Sequence, residues 1–166
     1  MPLTARADDP NAAKANSMVQ TAINMTDSDQ AVKLLWQATD LDPSLEQAYV
    51  YLALYYNSRS QFDKVVQVYQ KLLKVEPNNA TAYLNIGEAF MSYDPPKTSD
   101  ALPYYRKAFQ LDPTSTFAAL RIGEILAQQG DRADATGYLQ QAARDTTKNP
   151  DAAAEAQKVL GQMGAM

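Results

Sequence analysis

The sequence predicts an all-α fold: about four helical hairpins in series, closed by a C-terminal helix. Three observations predict it. The segments "QATDLDPSLEQAYVYLA", "KLLKVEPNNATAYLNIG" and "KAFQLDPTSTFAALRIG" align on Pro43, Pro77 and Pro113, which are 34 and 36 residues apart. Between these prolines the apolar residues recur at i, i+3, i+4 and i+7, which is helix spacing and not strand alternation. The last segment, "NPDAAAEAQKVLGQMGAM", carries one apolar stripe and is otherwise polar, as the outer face of a stack of repeats must be.

Residues 1–11 are expected to be mobile, with Asp9-Pro10 starting the first helix. The first unit, 12–45, is weak in its opening helix (Met18, Ala22) but has Ala31, Leu35, Ala38 and Pro43 in its second. In the second unit, 46–79, Tyr49, Leu52, Ala53 and Tyr56 form one helical stripe. "NSRSQ" breaks it, with Ser60 expected to cap the next helix. Val65, Val66, Tyr69, Leu72 and Leu73 then form a second stripe. The third unit, 80–115, absorbs its two extra residues in "SYDPPKTSD" (92–100), read as either a spacer or a contact loop. Ser99 is expected to cap the helix that follows, and Pro103 to fall in its first turn. The fourth unit is 116–148. From 149 to 166 the sequence predicts a capping helix, with Asn149 as cap, Pro150 in the first turn, and Ala152, Ala156, Val159, Leu160 and Met163 as its stripe.

Composition narrows the function. Of 166 residues 46% are hydrophobic, so a packed core is expected. The net charge of -4 argues against a nucleic-acid or anionic-membrane binder, which needs a basic face. There is no histidine and no cysteine, which excludes zinc sites built on them, thiol nucleophiles and histidine triads. No Gly-rich phosphate loop is present either, so the expectation is no catalysis, no cofactor and no metal. No stretch is long and apolar enough to span a membrane, and the start lacks an apolar signal core. A cytoplasmic location is slightly favoured; export with a removed signal stays open.

The repeat resembles the tetratricopeptide repeat (TPR), whose first helix reads W-x2-L-G-x2-Y, followed by a small residue, an aromatic, an Ala and a Pro. The second unit matches with Tyr49, Leu52, Ala53, Tyr56, Tyr69 and Pro77, with Val65 and Leu72 where Ala is usual. The third matches with Tyr83, Ile86, Gly87, Phe90, Ala101, Tyr105, Ala108 and Pro113. The fourth has Ile122, Gly123, Leu126, Ala135, Leu139 and Ala142, with a late Pro150. The resemblance covers roughly residues 12–148 and implies a right-handed solenoid. Small residues are expected where helices cross (Ala53, Gly87, Gly123) and large ones in the gaps between hairpins (Tyr49, Tyr69, Tyr105).

The resemblance also implies partner binding on a concave face lined by the first helices. Counted from each unit's start, the groove positions are Ala13, Asn16, Ser17, Gln20, Ile23 and Asn24 in the first unit. In the second, Gln47, Val50, Tyr51, Leu54 and Asn57 are the candidates, and in the third Thr81, Leu84, Asn85, Glu88 and Met91. In the fourth they are Phe117, Leu120, Arg121 and Glu124. Val50, Leu54, Leu84, Leu120 and Phe117 make the set more apolar than a solvated face requires. Glu88 and Glu124 share one repeat position and are expected side by side, either solvated or ready for a partner's Lys or Arg. The Lys, Arg and Asn of the family's carboxylate clamps are replaced here by Asn16, Gln20, Val50, Leu54, Thr81 and Asn85, so such a clamp is not expected.

Two features stand outside the repeat pattern. Tyr51 and Tyr55 are left over from "AYVYLALYY", as contact residues or as packing against the first hairpin. Trp36 is the only tryptophan, and Gln70, Arg106 and Gln140 hold its place in the later units. It either folds over the edge of the buried stripe or under the N-terminal segment, or it offers a convex aromatic contact. The sequence thus points to a protein–protein adaptor that binds an apolar peptide or helix, with the alternative of a self-associating component of a larger assembly.

Overall fold

The computed structural model describes residues 9–164. Among them are nine helices and no strand: α1 (Pro10–Ile23), α2 (Ser28–Leu41), α3 (Glu46–Asn57), α4 (Phe62–Val75), α5 (Ala80–Met91), α6 (Thr98–Leu111), α7 (Thr116–Gln128), α8 (Arg132–Arg144) and α9 (Pro150–Gly164). The all-α hairpin-repeat fold expected from the sequence is therefore the fold observed. Of the segment 1–11, expected to be mobile, residues 1–8 lie outside the described residues, and Pro10 and Asn11 already belong to α1.

The turns follow local chemistry. Asp9, Asp27, Asn79, Ser115, Asp131 and Asn149 each accept a hydrogen bond from a backbone N–H in the first turn of the helix they precede. The recurring Asp-Pro is a turn device as well as a helix stop. In Asp42-Pro43-Ser44 and Asp112-Pro113-Thr114 the carboxylate accepts from the backbone N–H and the hydroxyl two residues on.

Three expectations about helix starts are corrected. Ser60 does not cap α4; it sits at φ 54, in the left-handed region. Gln61 N–H reaches back to the Tyr56 carbonyl at 2.9 Å, the bond that closes a helix ending in a left-handed residue. Gly130, at φ 86, has the same role after α7, where Asp131 N–H bonds the Leu126 carbonyl. Ser99 is not a cap either, because α6 begins at Thr98. Pro103 consequently falls in the second turn of α6 rather than the first, where it cannot donate to the Ser99 carbonyl.

The helices form two compact units, one up to Asn78 and one from Asn79. Unit 1 contains α1–α4. Its core is built from Val19, Leu35, Tyr49, Leu52, Val65 and Val68, all at most 4% exposed. Unit 2 contains α5–α9 and is centred on Tyr105, Ile122, Ile125 and Leu139. The close helix crossings expected at the small residues are present in unit 2. A Cβ on Gly87 of α5 would stand 2.6 Å from the Tyr105 ring of α6, and one on Gly123 of α7 would stand 2.6 Å from Leu139 of α8. α9 packs on α7 and α8, with Ala152, Ala156 and Met163 in the shared core. It thereby closes the unit as a capping helix does.

Candidate functional site

The candidate positions lie on or at the end of four first-of-hairpin helices: α1 and α3 in unit 1, and α5 and α7 in unit 2. On α3 they are left open. Gln47 and Asn57 are exposed, Tyr51 is half-buried, and Val50 and Leu54 are 44% and 57% exposed. Val50 and Leu54 are four residues apart, so they stand on one stripe of the helix. Ile23, at the end of α1, is 41% exposed. Only Val75 joins these three as a large exposed apolar residue among the described residues.

In unit 2 the picture differs. Thr81 is exposed, while Leu84, Asn85, Met91 and Phe117 are half-buried. Leu84, Met91 and Phe117 pack against the core cluster of the unit. Leu120, expected on an open face, is only 4% exposed and belongs to that cluster. The reason is the position of α7. It is flanked by α6, α8 and α9 and so buries residues on most of its circumference, from Ala118 to Leu126.

Glu88 and Glu124 do converge, but they are not open to a partner's base. Arg121 stands between them. Its Nε and Nη2 donate to the two oxygens of Glu88 at 2.9 and 3.1 Å, and Nη1 donates to Glu124 Oε2 at 3.1 Å. This is a forked pair plus a third bond, the geometry that suits a guanidinium. The same guanidinium lies 4.7 Å from the centre of the Phe117 ring. The Tyr105 hydroxyl donates to Glu88 from below. Burial and that carboxylate hold the phenol far above its ordinary range. The chain's own Arg121 thus takes the place expected for a partner's Lys or Arg. Arg121 and Glu124 are three residues apart on α7, so the pairing was visible in the sequence as a same-face spacing.

Trp36 is seated inside unit 1. Its indole N–H donates to the Tyr56 hydroxyl of α3 at 3.1 Å, and the Lys71 ammonium of α4 lies 5.0 Å from its ring centre. Lys71 also donates to Thr39 Oγ1 at 2.9 Å and to Asp40. The half-buried side chain therefore folds over the edge of the buried stripe towards α3 and α4. Nothing in the sequence marked Lys71, because its partners are 31 and 32 residues away on another helix. Tyr55 is likewise packing. Its hydroxyl donates to Asp29 of α2 at 2.6 Å, and Arg59 stacks 3.8 Å from its ring centre. The longer loop is drawn in too, with Tyr93 stacked on Phe90 and Lys97 over the Tyr93 ring at 3.6 Å.

The comparisons agree with this architecture. A model described as TPR repeat matches residues 54–92, and one described as tetratricopeptide repeat matches 97–163, together more than half the chain. The chain belongs to the tetratricopeptide repeat family. It is 24% identical over 135 residues to superkiller complex protein 3 of Mus musculus, a match over 80% of this chain and 8% of that protein. Against the peroxisomal targeting signal receptor of Saccharomyces cerevisiae it is 24% identical over 110 residues, 66% of this chain and 17% of the receptor. The chain thus spans less than a fifth of the length of these relatives. Among solved structures, a crystal structure of MamA is similar with a TM-score of 0.65 and 20% identity, over 84% of this chain and 81% of that one. The TPR2B domain of yeast Sti1, in its pHsp70 complex, is similar with a TM-score of 0.58 and 21% identity, over 67% and 89%. These two likenesses speak to the fold. Family membership places this TPR chain among protein-interaction scaffolds. Among the described residues no helix is long and apolar enough to cross a membrane.

Proposed function

We propose that this TPR chain is an adaptor without chemistry of its own, and that its first-helix faces seat an apolar peptide or amphipathic helix of a partner protein. One observation carries the reading. Three of the four large exposed apolar side chains among the described residues, Ile23, Val50 and Leu54, fall at positions of the first helices that the repeat register assigns to partner contact. Apolar groups left in water at a defined register gain free energy when covered, about 25 cal/mol per Å². A stripe of i, i+4 side chains is suited to a partner that offers the same spacing. The Sti1 domain, seen in complex with pHsp70, is a structural relative whose partner is consistent with this use. The proposed site lies on α3, at Gln47, Val50, Tyr51, Leu54 and Asn57; in unit 2, taken by itself, Thr81 is the exposed candidate of α5, and Leu84, Asn85 and Met91 are its half-buried ones. The absence of His and Cys from the chain supports the non-enzymatic reading.

The experiment is a charge insertion where the fold tolerates it. Val50→Arg with Leu54→Arg changes two exposed residues, so helicity by circular dichroism should not change. Proteins captured by the unaltered chain and identified by mass spectrometry should be lost. Unchanged capture would remove α3 from the site.

A further inference from the structure

A second surface of unit 2 has a different character. A cleft of about 360 Å³ is lined by Pro113, Thr114, Ser115 and Thr116 on one side, and by Gln141, Arg144, Asp145 and Lys148 on the other. That is within the size range of ligand-binding clefts, roughly 300–1,000 Å³. Two cross-links bring its walls together. Gln141 Nε2 donates to the Pro113 carbonyl at 2.7 Å, and the Thr116 hydroxyl donates to Asp145 Oδ2 at 2.6 Å.

The charges of the lining are unequal in their commitments. Asp145 is the single acid, and its oxygens are engaged: Oδ2 by Thr116, Oδ1 by the Lys148 backbone N–H at 3.1 Å and the Thr147 hydroxyl at 3.3 Å. These bonds, the Thr116 hydroxyl foremost, hold its carboxyl below the ordinary carboxylate range. Arg144 and Lys148 are exposed, and neither is in an ion pair among the described residues. On a chain of net charge -4, this cleft presents two uncommitted cations. The guanidinium fork can take a carboxylate through two parallel bonds, and the ammonium can take a second. Pro113 adds an apolar surface on the facing wall.

We propose that this cleft is a docking site for an acidic peptide segment of a partner, with Arg144 and Lys148 receiving side-chain carboxylates and Pro113 an intervening apolar side chain. The site is separate from the α3 stripe and does not depend on it.

Titration calorimetry on the full chain tests it, with the peptide acetyl-Glu-Glu-Leu-Glu-Glu-amide. Binding should weaken as salt is raised. The glutamine counterpart of the peptide should give no heat, and inorganic phosphate at equal concentration should not displace the acidic peptide. Arg144→Glu with Lys148→Glu should weaken binding by about tenfold or more, as expected for reversed contacts. Arg144→Gln with Lys148→Gln should give a smaller loss, and carries the comparison if circular dichroism shows the reversal variant misfolded. Val50→Arg with Leu54→Arg should bind the acidic peptide as the unaltered chain does. No binding by the unaltered chain, unchanged binding by the charge variants, loss of binding in the α3 variant, or displacement by phosphate would each overturn the proposal.

Discussion

Gly87 and Gly137 are both glycines inside helices, and their surroundings make opposite demands. At Gly87 a Cβ would meet the Tyr105 ring, which is fully buried and held at its hydroxyl by Glu88. At Gly137 on α8 nothing lies within 4 Å of a built Cβ. Alanine gains about 1 kcal/mol over glycine from helix propensity alone, while overpacking a filled crossing costs about 1–3 kcal/mol. Gly137→Ala should therefore raise the thermal midpoint and Gly87→Ala lower it. Ser60 offers a third comparison. It is a non-glycine residue at φ 54 in the turn where the fourth hairpin uses Gly130. A left-handed residue with a Cβ costs roughly 1–2 kcal/mol, so Ser60→Gly should stabilise by about 1 kcal/mol, read in a denaturant melt. Residue-scale requirements of this kind were partly legible. The small residues at helix crossings could be named in advance, but the identity of the atom each makes room for could not. The use of Ser60 was misread, since a serine between helices fits an N-cap and a C-terminal turn equally well.

Within the helical hairpins, several of the large repeat residues are buried tyrosines. Tyr49 of α3 and Tyr69 of α4 are 0% and 6% exposed, and burial pushes each phenol up to about 12. Tyr49 still satisfies its hydroxyl, donating to the Pro43 carbonyl at 2.9 Å. The folded state holds these phenols neutral more strongly than the unfolded chain, where they titrate near 10. Stability is therefore complete below pH 10 and is lost as pH rises from about 10 to about 12, by about 1.4 kcal/mol per pH unit for each phenol. A titration followed at once by tyrosinate absorbance and by helicity should show a late absorbance step that coincides with loss of helix. Absorbance that completes while helicity is intact would mean the rings are solvated. The same elements show where sequence reading ends. The stripe of α7 was read as two faces, one for the core and one for a partner. Leu120 lies in the core because α6, α8 and α9 all pack on α7, and the period of one helix does not show how many neighbours surround it.

For the whole molecule, the adaptor and assembly readings differ in mass. Light scattering should report 18.3 kDa at all concentrations for an adaptor. A mass that grows with concentration, and returns to 18.3 kDa in Val50→Arg with Leu54→Arg, would instead assign the α3 stripe to contact between copies. The proposed adaptor carries two surfaces of opposite chemistry: an apolar stripe on α3 and a cationic cleft near the end of α8. The first was anticipated position by position from the repeat register. The second was not, because its lining comes from two turns and two helix ends whose residues, Pro113 apart, have no repeat signature.

The sequence by itself determined the helices, their pairing into hairpins and the family. Each of these follows from short-range periodicity, which a chain displays residue by residue: a proline about every 34 residues, small residues at the crossings, aromatics in the gaps. Only the tertiary structure decided how the charges and edge residues are used. Arg121 closing on Glu88 and Lys71 against Trp36 are contacts of long side chains across 33 and 35 residues. Such side chains have several rotamers of similar energy, and which one is populated depends on what the neighbouring helix presents. Periodicity places a side chain on a face; the partner it meets there is set by the packing of the next hairpin.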